Sequence, residues 1–307
     1  MLERILIIKL GALGDVVLAC GSFEAIRRHH AEAKITLLTT KPYEKFLQRS
    51  NWFDEIITDS RPPIWKITEW IDLRKRLLSG SFDRVYDLQT SDRSGWYYRL
   101  LGPSARPEWS GIVWGCSHPH NNPQRDNMHT IDRHAEQLAI AGITLVPKPQ
   151  LSWVKSNIET FGLPSKYALL VAGGSPHRQE KRWPTDNFVA LARRLDQRGV
   201  TPVFLGGCHE REISKYLLGE NVCSFDLIGK TSLEDIVTIA RGAACAVGND
   251  TGPMHLIAAS DCPTVVLFSA ASDFALTSPR GSTVTILQRN DLSKLEVEKV
   301  DAALSMR

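Results

Sequence analysis

Along the first half of the chain, short and nearly continuous apolar runs alternate with stretches whose apolar positions recur every three or four residues. ILIIKL opens the pattern, a helix is expected from about Asp15 to His30, and KITLLTT follows. A helix near Tyr43 to Arg49, the run EIITD and the run RVYDLQ continue it. Apolar runs this short, separated by amphipathic helices, are what a parallel sheet covered on both faces requires. Arg93 to Leu101 reads as a helix closed by Gly102-Pro103. Between about Pro103 and Met128 no period holds, and loops are expected there with one short strand at GIVWG. Loops of this length usually have a job.

A helix from Thr130 to Ala141 is stopped by Gly142, and ITLVPKPQLSWVKS, with two prolines, reads as a link. The rhythm then restarts. YALLVAGG precedes a helix from Asp186 to Gln197, and TPVFLGG precedes one from Glu210 to Leu218. FDLIG, a helix from Leu233 to Arg241, CAVGND, a helix from Met254 to Ser260 and PTVVLF complete it. At 307 residues the chain suits two domains of about 150 each. The expected fold is therefore α/β with two Rossmann-like domains, residues 1–155 and 156–307. Ligands of such open parallel sheets bind at the carboxyl ends of the strands.

Composition narrows the classes. Apolar residues at 43% and charged residues at 23% describe a soluble globular protein. The apolar core of MLERILIIKL is too short for a signal peptide or a membrane span, so a cytoplasmic protein is expected. Cys20, Cys116, Cys208, Cys223, Cys245 and Cys262 form no C-x-x-C pair, which points to buried apolar thiols and away from a disulfide framework or zinc cluster. A net charge of +3 argues against bulk nucleic-acid binding. The excess lies in residues 1–155, net +4 against −1 for the remainder, and favours an anionic partner there.

The chemistry concentrates at strand ends. CAVGNDTGPMHLIAAS ends a buried strand at Gly248-Asn249-Asp250 and starts a helix behind Thr251-Gly252-Pro253. The amides of Thr251, Gly252, Met254 and His255, with the helix dipole, would make an anion site suited to a diphosphate. An ordinary N-capped helix accounts for the same residues. In VAGGSPHRQEKRWP, Gly173, Gly174 and Ser175 precede His177, Arg178, Lys181 and Arg182, and a cation there would neutralise phosphate. A solvated basic loop is the plainer alternative. Glu210, after TPVFLGG, is placed to hold a ribose or sugar hydroxyl, with Glu212 as its rival.

In the first half, ILIIKLGALGDVV has only Gly11-x-x-Gly14, and KITLLTT ends in no acidic residue, so a dinucleotide cofactor is disfavoured. Asp15 is either a helix-start carboxylate or a general base over an interdomain cleft. Asp87 and Gln89 at a strand end, with Arg93 just beyond, are candidates for the acceptor side of that cleft, and a capping and solvent role accounts for them equally well. Arg74-Lys75-Arg76 is expected on the wet side of a helix whose apolar face is Trp70, Ile71, Leu73 and Leu77. With Arg61 and Lys66 that cluster could also meet an anionic acceptor or membrane headgroups. The histidines His118, His120, His129 and His134 lack a ligand pattern, and no metal is expected.

Together, IIKLGALGD, DLQTSDRS, GGSPHRQEKRWP and GNDTGPMHLIAA resemble the lipopolysaccharide heptosyltransferases, glycosyltransferase family 9, over about residues 4–268. The resemblance implies the GT-B fold and metal-independent, inverting transfer of heptose from an ADP-activated donor to the inner core of lipopolysaccharide. It implies Asp15 as base, Lys181 on the donor diphosphate, backbone amides from Thr251 and Gly252, and Asp250 and His255 near the donor. Arg61, Lys66, Gln89 and Arg93 would face an anionic glycolipid acceptor, with peripheral contact at the inner membrane surface. The chain is somewhat short for that family, and residues 58–128 match nothing assignable. A sugar-nucleotide epimerase of the same fold and a non-catalytic nucleotide-binding module are the rival readings.

Overall fold

In the first unit β1 (Arg4–Ile8) pairs in parallel with β2 (Lys34–Thr39) on one side and β4 (Arg84–Asp87) on the other, so that Ile8 lies between Leu38 and Asp87. With β3 (Glu55–Thr58), β5 (Glu108–Gly111) and β6 (His118–Pro119) the order is β3-β2-β1-β4-β5-β6, all parallel. The second sheet runs β12-β11-β10-β7-β8-β9, also parallel. Its strands are β7 (Tyr167–Val171), β8 (Thr201–Phe204), β9 (Phe225–Asp226), β10 (Cys245–Asn249), β11 (Thr264–Phe268) and β12 (Val284–Gln288). The computed structural model describes residues 2–102, 106–174, 177–220 and 225–307. Its two compact units are Met1–Pro149 and Gln150–Arg307.

The strands form where burial on both faces rewards an unbroken apolar run: every residue of β7, β10 and β11 is buried, as is all of β1 after Arg4. Helices cover them. In the first unit α4 (Ile67–Ser79) and α5 (Asp92–Leu101) pack Leu73, Leu77, Tyr97, Tyr98 and Leu101 on Leu6, Ile8, Leu38, Val85 and Trp109. In the second, α7 (Thr185–Gln197) buries Phe188, Leu191, Ala192 and Leu195 on a core that includes Leu170, Phe204 and Val247.

Several expectations shift. The helix expected from Asp15 to His30 is two, α1 (Leu13–Leu18) and α2 (Cys20–His29), which meet at Ala19. The strand expected at GIVWG lies at EWSG, where Trp109, Ser110 and Gly111 are buried, whereas Ile112 and Trp114 are exposed. A short apolar run was a poor marker here because the pairing with β4 selects backbone position, and hydrophobicity follows only if a core is present. Ile71, expected on the apolar face of α4, is 46% exposed, while Leu73 and Leu77 are buried. Cys20, Cys116, Cys245 and Cys262 are buried and Cys208 is exposed; Cys223 lies outside the described residues.

Candidate functional site

Each sheet reverses its strand order at one place, and the loops that leave the carboxyl ends there diverge and leave a crevice. In the second unit that place is between β7 and β10. The loop after β7 carries Gly173, Gly174, Lys181 and Arg182, and the loop after β10 carries Asp250 and Thr251 before α10 (Gly252–Ala258). The sequence therefore supplies two polar loops, and topology makes them neighbours.

Asn249, the last residue of β10, stitches them together. Fully buried, it donates through Nδ2 to the carbonyl oxygens of Ala172 (2.8 Å) and Gly173 (3.1 Å) and accepts at Oδ1 from the Trp183 amide (2.8 Å). Trp183 is anchored in turn, its indole donating to the Leu295 carbonyl at 2.9 Å. With both ends held, Lys181 Nζ reaches Asp250 Oδ2 at 2.9 Å, and Ser272 Oγ, from the loop after β11, donates to the same oxygen at 2.6 Å. Arg182 Nη2 donates to the Gly174 carbonyl at 2.8 Å.

Glu210, expected to hold a ribose or sugar hydroxyl, also has a role within the protein. Buried, it accepts the Gly174 amide at Oε1 (2.7 Å) and the Gly207 amide at Oε2 (2.8 Å), tying the loops after β7 and β8 together. A side chain on Gly173 would collide with this carboxylate, which accounts for glycine there. Thr251 is the N-cap of α10 and, with Gly252, stands half-buried at its head. The Met254 amide, expected to face an anion, is donated to the Thr251 carbonyl at 3.1 Å. His255 is buried one turn into α10. Ser175 lies outside the described residues.

In the first unit the reversal falls between β1 and β4. Leu10 donates its amide to Gln89 Oε1 at 2.9 Å, joining the two loops. Gly11, at φ +123°, turns the chain, and Asp15, half-buried in the first turn of α1, accepts the Ala12 amide at Oδ2 (3.1 Å). An open hollow of about 500 Å³ lies here, lined among others by Leu10, Gly11, Tyr43, Asp59, Arg61 and Gln89.

The expected acceptor residues divide around it. Arg61 and Gln89 line the hollow. Arg93 stands behind it in a bidentate pair with Asp59 (2.9 and 3.1 Å), donates to the Pro62 carbonyl, and stacks on Trp70. Burial opposes ionisation of Asp59, but hydrogen bonds from Arg93 and Tyr97 outweigh it and hold the carboxyl below its ordinary range. Arg93 thus braces the 59–62 loop. Lys66 is exposed, pairs with Glu69 at 2.7 Å, and is not among the residues that line the hollow.

Beneath Asp15 lies a polar layer that the sequence did not single out as a unit. Lys9 is 4% exposed and donates to the Leu88 carbonyl at 2.9 Å. Burial lowers its pKa to about 8, against the opposing fields of Asp15 and Asp87. Burial likewise raises Asp87 to about 6, although the Thr90 and Gln89 amides hydrogen-bond it. His134 also contacts the Leu88 carbonyl, and burial keeps it neutral. The signal available was a lysine inside an apolar strand run, ILIIKL. Among the described residues no group of three or more His, Cys, Asp or Glu side chains is placed to hold a metal ion.

The family model for glycosyltransferase family 9 (heptosyltransferase) matches residues 70–305, most of the chain. The chain belongs to glycosyltransferase family 9. Its relatives are distant: lipopolysaccharide heptosyltransferase 2 of Salmonella typhimurium is 24% identical, the alignment covering 88% of this chain and 83% of the relative. The family fold is recovered throughout. The structure of E. coli ADP-heptose lps heptosyltransferase II superposes with a TM-score of 0.80 at 21% identity, covering 98% of this chain and 97% of that one. E. coli heptosyltransferase WaaC with ADP gives 0.76 at 22% identity, with 98% of each chain covered. Two six-stranded parallel sheets in two units are thus the GT-B architecture in this member of the family.

Proposed function

We propose that this chain is an inverting, metal-independent heptosyltransferase that moves heptose from ADP-heptose onto the inner core of lipopolysaccharide or a related surface glycan. The observation that carries the proposal is the cradle at the second switch point, where Lys181, Asp250 and the head of α10 converge. The ADP held by the related E. coli heptosyltransferase WaaC supports that nucleotide class.

Residues 156–307 then hold the donor, with Lys181 and the amides of Thr251 and Gly252 on the diphosphate. Asp250 orients Lys181, His255 packs beside the donor, and Glu210 sets the loops that surround it. Residues 1–155 hold the anionic acceptor, Arg61 and Gln89 lining its hollow. Asp15 takes the proton of the acceptor hydroxyl as that oxygen bonds to the anomeric carbon. The bond to the diphosphate breaks on the opposite face, and charge developing on ADP is met by Lys181 and the amides, the task a divalent cation performs elsewhere. The protein would work in the cytoplasm, against the inner membrane surface where such an acceptor resides.

Calorimetric titration with ADP, UDP, GDP and NAD tests the donor. Preference for ADP supports the proposal, whereas preference for UDP or GDP keeps the fold and overturns the donor. Turnover of ADP-heptose with a truncated lipopolysaccharide acceptor then tests the reaction. Activity lost to EDTA and restored by magnesium or manganese would overturn the metal-free mechanism.

A further inference from the structure

The segment RPPIWKITEWIDLRKR, from the loop after β3 into α4, leaves large apolar side chains in water. Ile64 is 81% exposed, Trp65 79%, Ile67 66% and Ile71 46%. The helix α4, which begins at Ile67, has a satisfied core face already: Leu73 and Leu77 are buried, and Trp70 packs on Tyr97 and under Arg93. Ile67 and Ile71, one turn apart, form a second apolar stripe turned away from that core. Scattered exposed apolar residues need no explanation, but four within eight positions form a patch that marks an interaction surface.

Charge identifies the occupant. Residues 61–76 hold five cations (Arg61, Lys66, Arg74, Lys75, Arg76) against two carboxylates, an excess of +3 that equals the whole chain's. Pairing the patch with its copy in a second chain would set +3 against +3 around an apolar centre, since a two-fold interface meets itself. An anionic bilayer instead offers apolar depth to Ile64, Trp65 and Ile67 and negative headgroups to the surrounding cations. Tryptophan favours that boundary, and lysine stems reach back to it. No helix among the described residues is long and apolar enough to cross a membrane, so contact of this kind would be lateral.

Position agrees. The loops after β3, β1 and β5 all leave the carboxyl edge of one parallel sheet, so the patch shares its edge with Asp15 and with Trp114, which is 94% exposed after β5. Four strand spacings put β3 and β5 roughly 19 Å apart.

We propose that Ile64, Trp65 and Ile67, with the cations Arg61, Lys66 and Lys75 of the same segment, seat this protein on an anionic phospholipid bilayer. The inference deepens the glycolipid acceptor proposed above and rests on it for its purpose, yet vesicle binding requires neither donor nor acceptor, so the two can fail separately. The full chain is sedimented with vesicles of phosphatidylcholine alone and with added phosphatidylglycerol. Binding to the anionic vesicles is expected, weakened at least about tenfold in the triple variant Ile64→Ser, Trp65→Ser, Ile67→Ser. Its circular dichroism and Tm should match the parent, because these side chains support no core. As a check independent of that variant, brominated lipid should quench less fluorescence in Trp65→Phe than in the parent. Absence of vesicle binding, equal binding by the triple variant, equal quenching, or a concentration-dependent dimer that the triple variant abolishes would each overturn the proposal.

Discussion

Lys181 and Asp250 are 69 residues apart in sequence, and their side chains meet at 2.9 Å, Nζ to Oδ2, at the strand-order reversal of the second sheet. The pair is partly open to water, its side chains 18% and 11% exposed, so its own worth to stability is modest. A lysine already held in place meets an arriving diphosphate with little rotamer entropy left to lose.

Replacing Lys181 by alanine is therefore expected to raise the Kd for ADP at least about tenfold, the loss of one charge-assisted hydrogen bond. Tm should stay close to the parent's. Titration calorimetry beside a thermal melt checks both, and unchanged ADP affinity would remove Lys181 from the donor site.

Asn249→Leu, unlike Lys181→Ala, should cost stability. Three buried backbone groups, at Ala172, Gly173 and Trp183, lose their partner. At about 1–3 kcal/mol for each unsatisfied group, the variant should lose at least about 3 kcal/mol in urea unfolding. ADP binding should weaken as well, because Lys181 loses its tether. Parent-like stability would show that the loops are held by something else.

Asp15→Asn keeps an oxygen to accept the Ala12 amide, so the α1 turn should survive. Turnover should fall by about a hundredfold to ten-thousandfold while ADP affinity holds, the signature of a lost general base. Retained turnover would return Asp15 to the role of a helix-start carboxylate.

Lys9 makes a pH prediction whose sign follows from burial. Its pKa is about 8 in the folded chain against 10.5 when free, so between these values the unfolded chain binds more protons and stability rises with pH. The contribution is fully present above 10.5 and is lost as pH falls through 8; complete, it amounts to about 3 kcal/mol. Melts of the parent and of Lys9→Met from pH 7 to 10 should show the parent gaining on the variant by several degrees. A constant difference would mean that Lys9 is neutral, or solvated, throughout.

Much of this was legible from the chain. Polar residues at the ends of apolar runs, Asp15, Gln89, Lys181 and Asp250, were visible as candidates because a covered parallel sheet exposes only its strand ends. Their partners were not. Ser272 follows a strand whose apolar run was seen, but nothing local ties a serine there to Asp250. For Glu210 and Arg93 the sequence could not separate a ligand contact from a loop brace, because a charge near a strand end has the same local signature whether it meets a substrate or a backbone amide. The structure puts Glu210 on Gly174 and Gly207, and Arg93 on Asp59.

What the sequence determined by itself is periodic and local: two series of buried strands and covering helices, glycines at close turns, and the family. Strand order, and with it the meeting of Lys181 with Asp250 and of Leu10 with Gln89, was decided only in the tertiary structure. So was the outward turn of Ile67 and Ile71 on a helix whose pattern promised a single apolar face. The reason is common to all three. Periodicity reports that a side chain is apolar or polar at a given phase, whereas which loops converge and which stripe is covered depends on pairing between segments far apart in sequence.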